Sequence, residues 1–300
     1  MNCFQLVFCS TIEICTNLQS YFLNTFYGNK IFFIFLYHTV DDEIHNNTGV
    51  SRFNSVFYLG HLTAACICVQ EKLERPLLWN ACRHHVGEVV LTHVWNDLKI
   101  ETAKSPEIAI FKRFRDNFDA LSYREVTNLK FISFSEDEKE TRDEVVTAIK
   151  SILEDKTFSY RGDYITFLKL ALVFLTEDIS KFKFIRPGAI SKARWMSKSI
   201  YTCQMVLLSN KISTELAPYT IFTQHQLERL IRFVKFLVLY YVRWWIYCPP
   251  PAECALLDLK FMKSVKNYHD SVISASALKA MKNHMWYLTS ELVGLSVFSR

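Results

Sequence analysis

Leu77-Leu78-Trp79-Asn80-Ala81-Cys82-Arg83-His84-His85-Val86-Gly87-Glu88 is an apolar, strand-like approach that breaks at a Cys-x-x-His step and continues as a helical apolar stripe. Sulfur and imidazole three residues apart lie on neighbouring positions of one helical turn, where Cys82 and His85 can share a metal or brace a strand-to-helix joint. Structural zinc requires about four ligands. No second Cys/His pair follows at finger spacing, so the step reads as a packed joint.

Upstream of it, Lys30 to Val40 (KIFFIFLYHTV) is dense in Ile, Phe and Val without a helical stripe and stops at Asp41-Asp42. This pattern predicts a strand buried on both faces, with a carboxylate at its carboxyl end. Asn46-Asn47-Thr48-Gly49 is turn chemistry, His61 to Glu74 suits a helix ended by Arg75-Pro76, and Leu77 to Ala81 is a second short strand.

Downstream, Val86, Val89, Val90, Val94 and Leu98 mark one helix face. Ile108 to Phe118 is a basic amphipathic helix, and Ser135 opens another with acids in its first turn, which suits the positive end of the helix dipole. Tyr160 to Leu175 and Ala193 to Ser209 are further helical segments, and Pro249-Pro250-Pro251 is the clearest break. Helices over Ala255 to Tyr268 and Ser274 to Phe298 complete an almost wholly helical C-terminal two-thirds.

With 300 residues, 50% of them hydrophobic, and only seven Gly and seven Pro, the chain can bury a substantial core and is not a disordered tail. A net charge of +5 permits a nucleic-acid partner without arguing for one. Nine cysteines without a repeated spacing read as core thiols of a reducing compartment, which sets aside the Asn46-Asn47-Thr48 sequon. Residues 1–29 contain no Lys or Arg, so the basic region of a secretory signal is missing. The apolar stretch from Leu227 to Cys248 is interrupted by Arg229, Arg232, Lys235 and Arg243, well short of the ~20 uninterrupted residues that span a bilayer. The expectation is an intracellular protein, nuclear or cytoplasmic, with no membrane and no small-molecule substrate as partner.

Three constellations carry chemistry. Asp42 at a strand end is where metal-dependent phosphoryl transfer holds a carboxylate, although a strand-terminal Asp also forms turns. The run Gly188-Ala189-Ile190-Ser191-Lys192-Ala193-Arg194-Trp195-Met196-Ser197-Lys198 puts three cations and an indole around a helix start, which suits a phosphate backbone or a snorkelling helix surface. The four cations among Tyr240, Tyr241, Trp244 and Trp245 suit single-stranded nucleic acid or a core with a charged rim.

In type and order, Asp42 with Asn46-Asn47-Thr48-Gly49, Cys82-x-x-His85 and Ala193-Arg194-Trp195 resemble the hAT-superfamily transposases. The stretches RPLLWNACRHHVGEVV, RPGAISKARWMSKSIYTCQMVLL and HMWYLTSELVGLSVF resemble transposon-derived proteins of arthropod and cnidarian genomes. The resemblance implies an α/β, predominantly helical fold in which a ribonuclease-H-like core, here incomplete, is interrupted by a large all-helical insertion. The implied boundaries are 1–98 for the N-terminal part of the core, 99–254 for the insertion and 255–300 for helices returning to the core. It also implies carboxylates that bind Mg²⁺ or Mn²⁺ for DNA strand cleavage and transfer, with Asp42 as the second and Glu291 as the third. Lys192, Arg194, Trp195 and Lys198 become DNA-binding residues, Cys82 and His85 a structural step, and DNA and a second copy of the chain the expected partners. A first Asp on an earlier strand is missing, because Glu13 is the only acid in residues 1–40. A two-metal site without one bridging carboxylate loses most of its chemistry. The expectation is therefore a truncated or degenerate derivative without activity; a helical scaffold with no nucleic-acid role, and a residual nuclease that uses Glu13, are the alternatives.

Overall fold

β1 (Gln5–Val7) pairs in parallel with β2 (Leu78–Asn80), Leu6 opposite Trp79. Everything else that is regular among the described residues is helical. The computed structural model describes residues 5–7, 78–80, 83–101, 108–123, 126, 129–155, 162–180, 182–188, 194–216, 221–246, 251–285 and 288–298, with the backbone alone at 5–7, 78–80, 84–85, 194–197 and 251–253. The expected strand at Lys30–Val40, Asp42, Glu13, the expected helix at His61–Glu74, Cys82 and Lys192 lie outside these residues. The predicted strand before Cys82 is present as β2, and its partner, β1, is a segment that carried no strand expectation.

The chain forms two compact units, one of residues 1–89, 248–264 and 278–300 and the other of 90–247 and 265–277. The helices are α1 (Arg83–Asp97), α2 (Ala109–Asn117), α3 (Glu136–Glu154), α4 (Gly162–Thr176), α5 (Arg194–Leu207), α6 (Ser209–Glu215), α7 (Gln224–Phe236), α8 (Val242–Ile246), α9 (Pro251–Lys266), α10 (Ser271–His284) and α11 (Ser290–Ser296). A π-helical turn, Leu237–Tyr241, joins α7 to α8. No helix among the described residues is long and apolar enough to cross a membrane.

In the larger unit α4 is the central helix. Its Phe167, Leu168, Leu170, Ala171, Val173, Phe174 and Leu175 are all buried, and α3 and α5 pack on it while α7 packs on α5. An apolar surface this wide marks a helix covered by neighbours rather than one facing water. Trp95 meets Phe111 and Phe233 with ring centroids 5.1 and 5.4 Å apart, and Tyr201 adds its ring to Phe111 at 5.2 Å. Each such side chain, once removed from water, contributes about 1.5–3 kcal/mol.

Local signals set the helix ends. Ser135 Oγ accepts from the Glu138 amide while Glu138 returns its carboxylate to the Ser135 amide, so α3 begins at a complete capping box. Thr223 and Gln226 repeat the device at α7. Pro251 occupies the first position of α9, where its missing N–H costs nothing. α4 ends with Glu177 at φ 55°, its amide donating to the Val173 carbonyl. The single helix expected over 274–298 is two helices, α10 and α11, because Thr289 caps a new start by accepting from the Leu292 amide at 3.3 Å.

In the smaller unit Arg83, at the start of α1, meets Asp258 of α9 through two Nε contacts of 3.1 and 3.0 Å. Their side chains are only 3% and 0% exposed. Ser296 of α11 accepts from the Leu256 amide of α9 at 3.1 Å.

Candidate functional site

α5 carries the Arg-Trp motif, and its own residues secure the loop that precedes it. Gln204 Nε2 donates to the Ile185 carbonyl at 3.0 Å, and Tyr201 Oη donates to the Gly188 carbonyl. Tyr201 and Gln204 are 3% and 1% exposed, so both bonds hang from groups fixed in the core. Lys198 Nζ donates to Thr92 Oγ1 at 2.8 Å and ties α5 to α1. Arg186 stands out on the loop, 62% exposed, and reaches Asp119 at 3.3 Å. A solvated pair of this kind is worth less than about 1 kcal/mol and leaves the guanidinium available. Arg194 and Trp195 belong to the first turn of α5.

The second basic–aromatic segment is a core with a charged rim. Tyr241, Trp244 and Trp245 are buried, and each of the four cations is engaged within the fold. Arg229 donates to the Lys99 carbonyl, Arg232 pairs with Asp270 at 2.7 Å, Lys235 with Glu138 at 2.8 Å and Arg243 with Glu144 at 2.9 Å. Of the two alternatives open from its spacing, nucleic acid and charged rim, the geometry supports the rim.

These pairings converge on a polar cluster centred on Glu138. Its Oε2 receives the Ser135 amide and Lys235 Nζ, both at 2.8 Å, and His269 Nδ1 lies 3.0 Å from Oε1. Tyr268 lies tilted beside His269, ring centroids 4.5 Å apart, and meets Tyr240 edge-on at 4.8 Å. Burial is the largest single influence on the Glu138 carboxyl and pushes its pKa up, but Lys235, the Ser135 amide and His269 together outweigh it and hold the value below the ordinary one. Asp270 behaves alike, with burial opposed by Arg232 and by the Ile273 and Val272 amides. The Tyr240 and Tyr268 hydroxyls are pushed up, by burial first and then by the Glu138 charge. Ser135 and the acids after it were legible as a helix start, whereas nothing in the spacing linked Glu138 to Lys235 or His269.

Glu291 lies exposed in the first turn of α11. The helix's own amide, then the Thr289 and Ser290 hydroxyls, lower its pKa, as expected of an acid at a helix N-terminus. Among the described residues no group of three or more His, Cys, Asp or Glu side chains can hold a metal ion. Of the carboxylates that the resemblance assigns to Mg²⁺ or Mn²⁺, Glu291 lies among the described residues, solvated, and Asp42 does not. His85 lies within α1, and its predicted partner Cys82 is outside the described residues.

No protein-family model matches the chain, and no curated protein and no solved structure matches it.

Proposed function

We propose that this chain is a transposon-derived protein that binds DNA without cutting it and presents the segment from Ile185 through α5 to the phosphate backbone. The observation that carries the reading is the strapping of the Ile185–Gly188 loop to α5 by Gln204 and Tyr201. A basic segment on a preordered loop loses little conformational entropy when it meets phosphate. Arg186 is the exposed cation of that loop, Lys192 and Arg194 follow it in the chain, and Trp195 supplies a stacking group. Lys198, held by Thr92, acts as a positioning residue.

Loss of the ancestral chemistry is part of the proposal. In this reading the incomplete ribonuclease-H-like core keeps Asp42 but lacks an early Asp, and Glu291 is a helix-end residue. Mg²⁺ or Mn²⁺ therefore has no step to support. Anisotropy of a labelled duplex with the full chain tests binding. Affinity should fall with salt, and Lys192→Ala and Arg194→Ala should each flatten the log–log slope by roughly 1. No binding at low salt would overturn the reading in favour of a helical scaffold. Nicking of supercoiled plasmid with Mn²⁺ that disappears in Asp42→Ala would overturn the loss of catalysis.

A further inference from the structure

Between Asp178 and Glu215 the chain holds seven Lys or Arg and no acid. Its whole net charge is only +5, so the remainder is net acidic and the positive surplus is local. An exposed apolar side chain stands in this field. Ile185 is 59% exposed, more than any other large apolar side chain described in the larger unit, and Lys183 and Arg186 beside it are exposed too. A single exposed Ile is ordinary. The way its backbone is held is not.

Side chains alternate along this segment as they do in extended chain. Phe182 and Phe184 are half-buried, their rings 5.1 Å apart with Phe184 6.2 Å from Tyr123, while Lys183 and Ile185 between and after them face water. The Ile185 and Gly188 carbonyls accept from Gln204 and Tyr201, both fixed in the core, and Pro187 is buried. A tip anchored on both sides cannot fold back to hide Ile185. Gly188 adds a second observation: it has no left-handed φ, and a Cβ added there would meet nothing within 4 Å. The fold therefore does not require glycine at this place, and the bare backbone leaves room for close approach from outside.

Spacing selects the occupant. Three residues of extended chain span roughly 10 Å, enough for Lys183 and Arg186 to reach both phosphate walls of a minor groove about 6 Å wide. Ile185 between them then faces the groove floor, where an apolar side chain gains by entering the base stack. An acidic protein surface would satisfy the cations but has no reason to offer an apolar slot between them, whereas duplex DNA offers one at every base step. Asp119, 3.3 Å from Arg186 and itself 68% exposed, yields to phosphate at little cost.

We infer that Ile185 is a wedge that enters a base step from the minor groove of duplex DNA and kinks it, so that the protein selects deformable pyrimidine–purine steps such as TA. The inference rests on the DNA-binding reading and adds to it a choice of site by DNA shape.

The test uses the full chain and a duplex of about 20 base pairs in which 2-aminopurine replaces the adenine of a central TA step and the ends carry a donor and an acceptor fluorophore. Binding should raise the 2-aminopurine fluorescence, as its stack opens, and increase energy transfer between the ends. Ile185→Ala should abolish both signals and weaken binding to this duplex roughly tenfold, with the salt slope unchanged because no cation is lost. Ile185→Met should keep both signals. Gly188→Ala should weaken binding without lowering the melting temperature, since an exposed loop glycine with ordinary φ tolerates alanine. Salt-dependent binding by the wild type without either signal, or signals that persist in Ile185→Ala, would overturn the wedge and leave DNA binding standing. Absence of binding at low salt would overturn both.

Discussion

Replacing Glu138 with Ala should cost the larger unit about 2–4 kcal/mol. The carboxylate does two tasks at once: it completes the α3 capping box through the Ser135 amide and binds the mostly buried Lys235, whose side chain is 15% exposed. A lost cap is worth ~1 kcal/mol and a hydrogen bond to a charged group about 1.5–3 kcal/mol. At roughly 2–4 °C per kcal/mol for a unit of this size, the midpoint of thermal unfolding followed by circular dichroism should fall by about 4–16 °C. Glu138→Gln keeps an acceptor for the Ser135 amide but not the charge, so about half the loss should remain. The pH dependence has a definite sign. Because the folded-state pKa of Glu138 is lowered, its contribution is complete above the ordinary glutamate value of about 4.3 and disappears as pH falls through the lower folded value. Wild type and Glu138→Gln should therefore differ at pH 7 and converge in acid, with Asp270 adding a residual slope of the same sign in both. A double-mutant cycle with Lys235→Met should show coupling of about 1–2 kcal/mol, and coupling below about 0.5 kcal/mol would refute this account of the cluster.

Arg83→Met should destabilise the smaller unit by about 3–5 kcal/mol, because Asp258, with a fully buried side chain, would keep an uncompensated charge. Arg83→Met with Asp258→Leu should recover most of that loss in the same melting experiment. Glu177→Gly should raise the melting temperature slightly, by about 0.5 kcal/mol of stability, because φ 55° at this helix end strains a side chain that glycine lacks.

Much of the helical architecture was legible in local chemistry. Ser135 with the acids after it announced the start of α3, the stripe from Val86 to Leu98 announced α1, and the triple proline announced a break, although α9 begins at Pro251 rather than at the expected Ala255. The break at Thr289 was also legible as a Thr with an acid two residues on, but the apolar spacing over 274–298 masked it. Spacing left the role of Arg229, Arg232, Lys235 and Arg243 open, since a row of cations beside aromatics looks the same whether it faces phosphate or pairs with acids brought in from elsewhere. Lys198 posed the same difficulty, and its bond to Thr92 appears only in three dimensions.

The amino-acid order alone determined where most of the helices lie and that α4 is apolar over most of its surface. Those features depend on neighbours a few residues apart, whose geometry the backbone dictates. The tertiary structure alone decided that Glu138 meets Lys235 and His269, that Arg83 meets Asp258, that the Ile185–Gly188 loop is strapped to α5, and that β1 is the partner of β2. Pairings between charges far apart in the chain depend on which faces the core brings together, and the periodicity of a single helix says which face is buried but not against what.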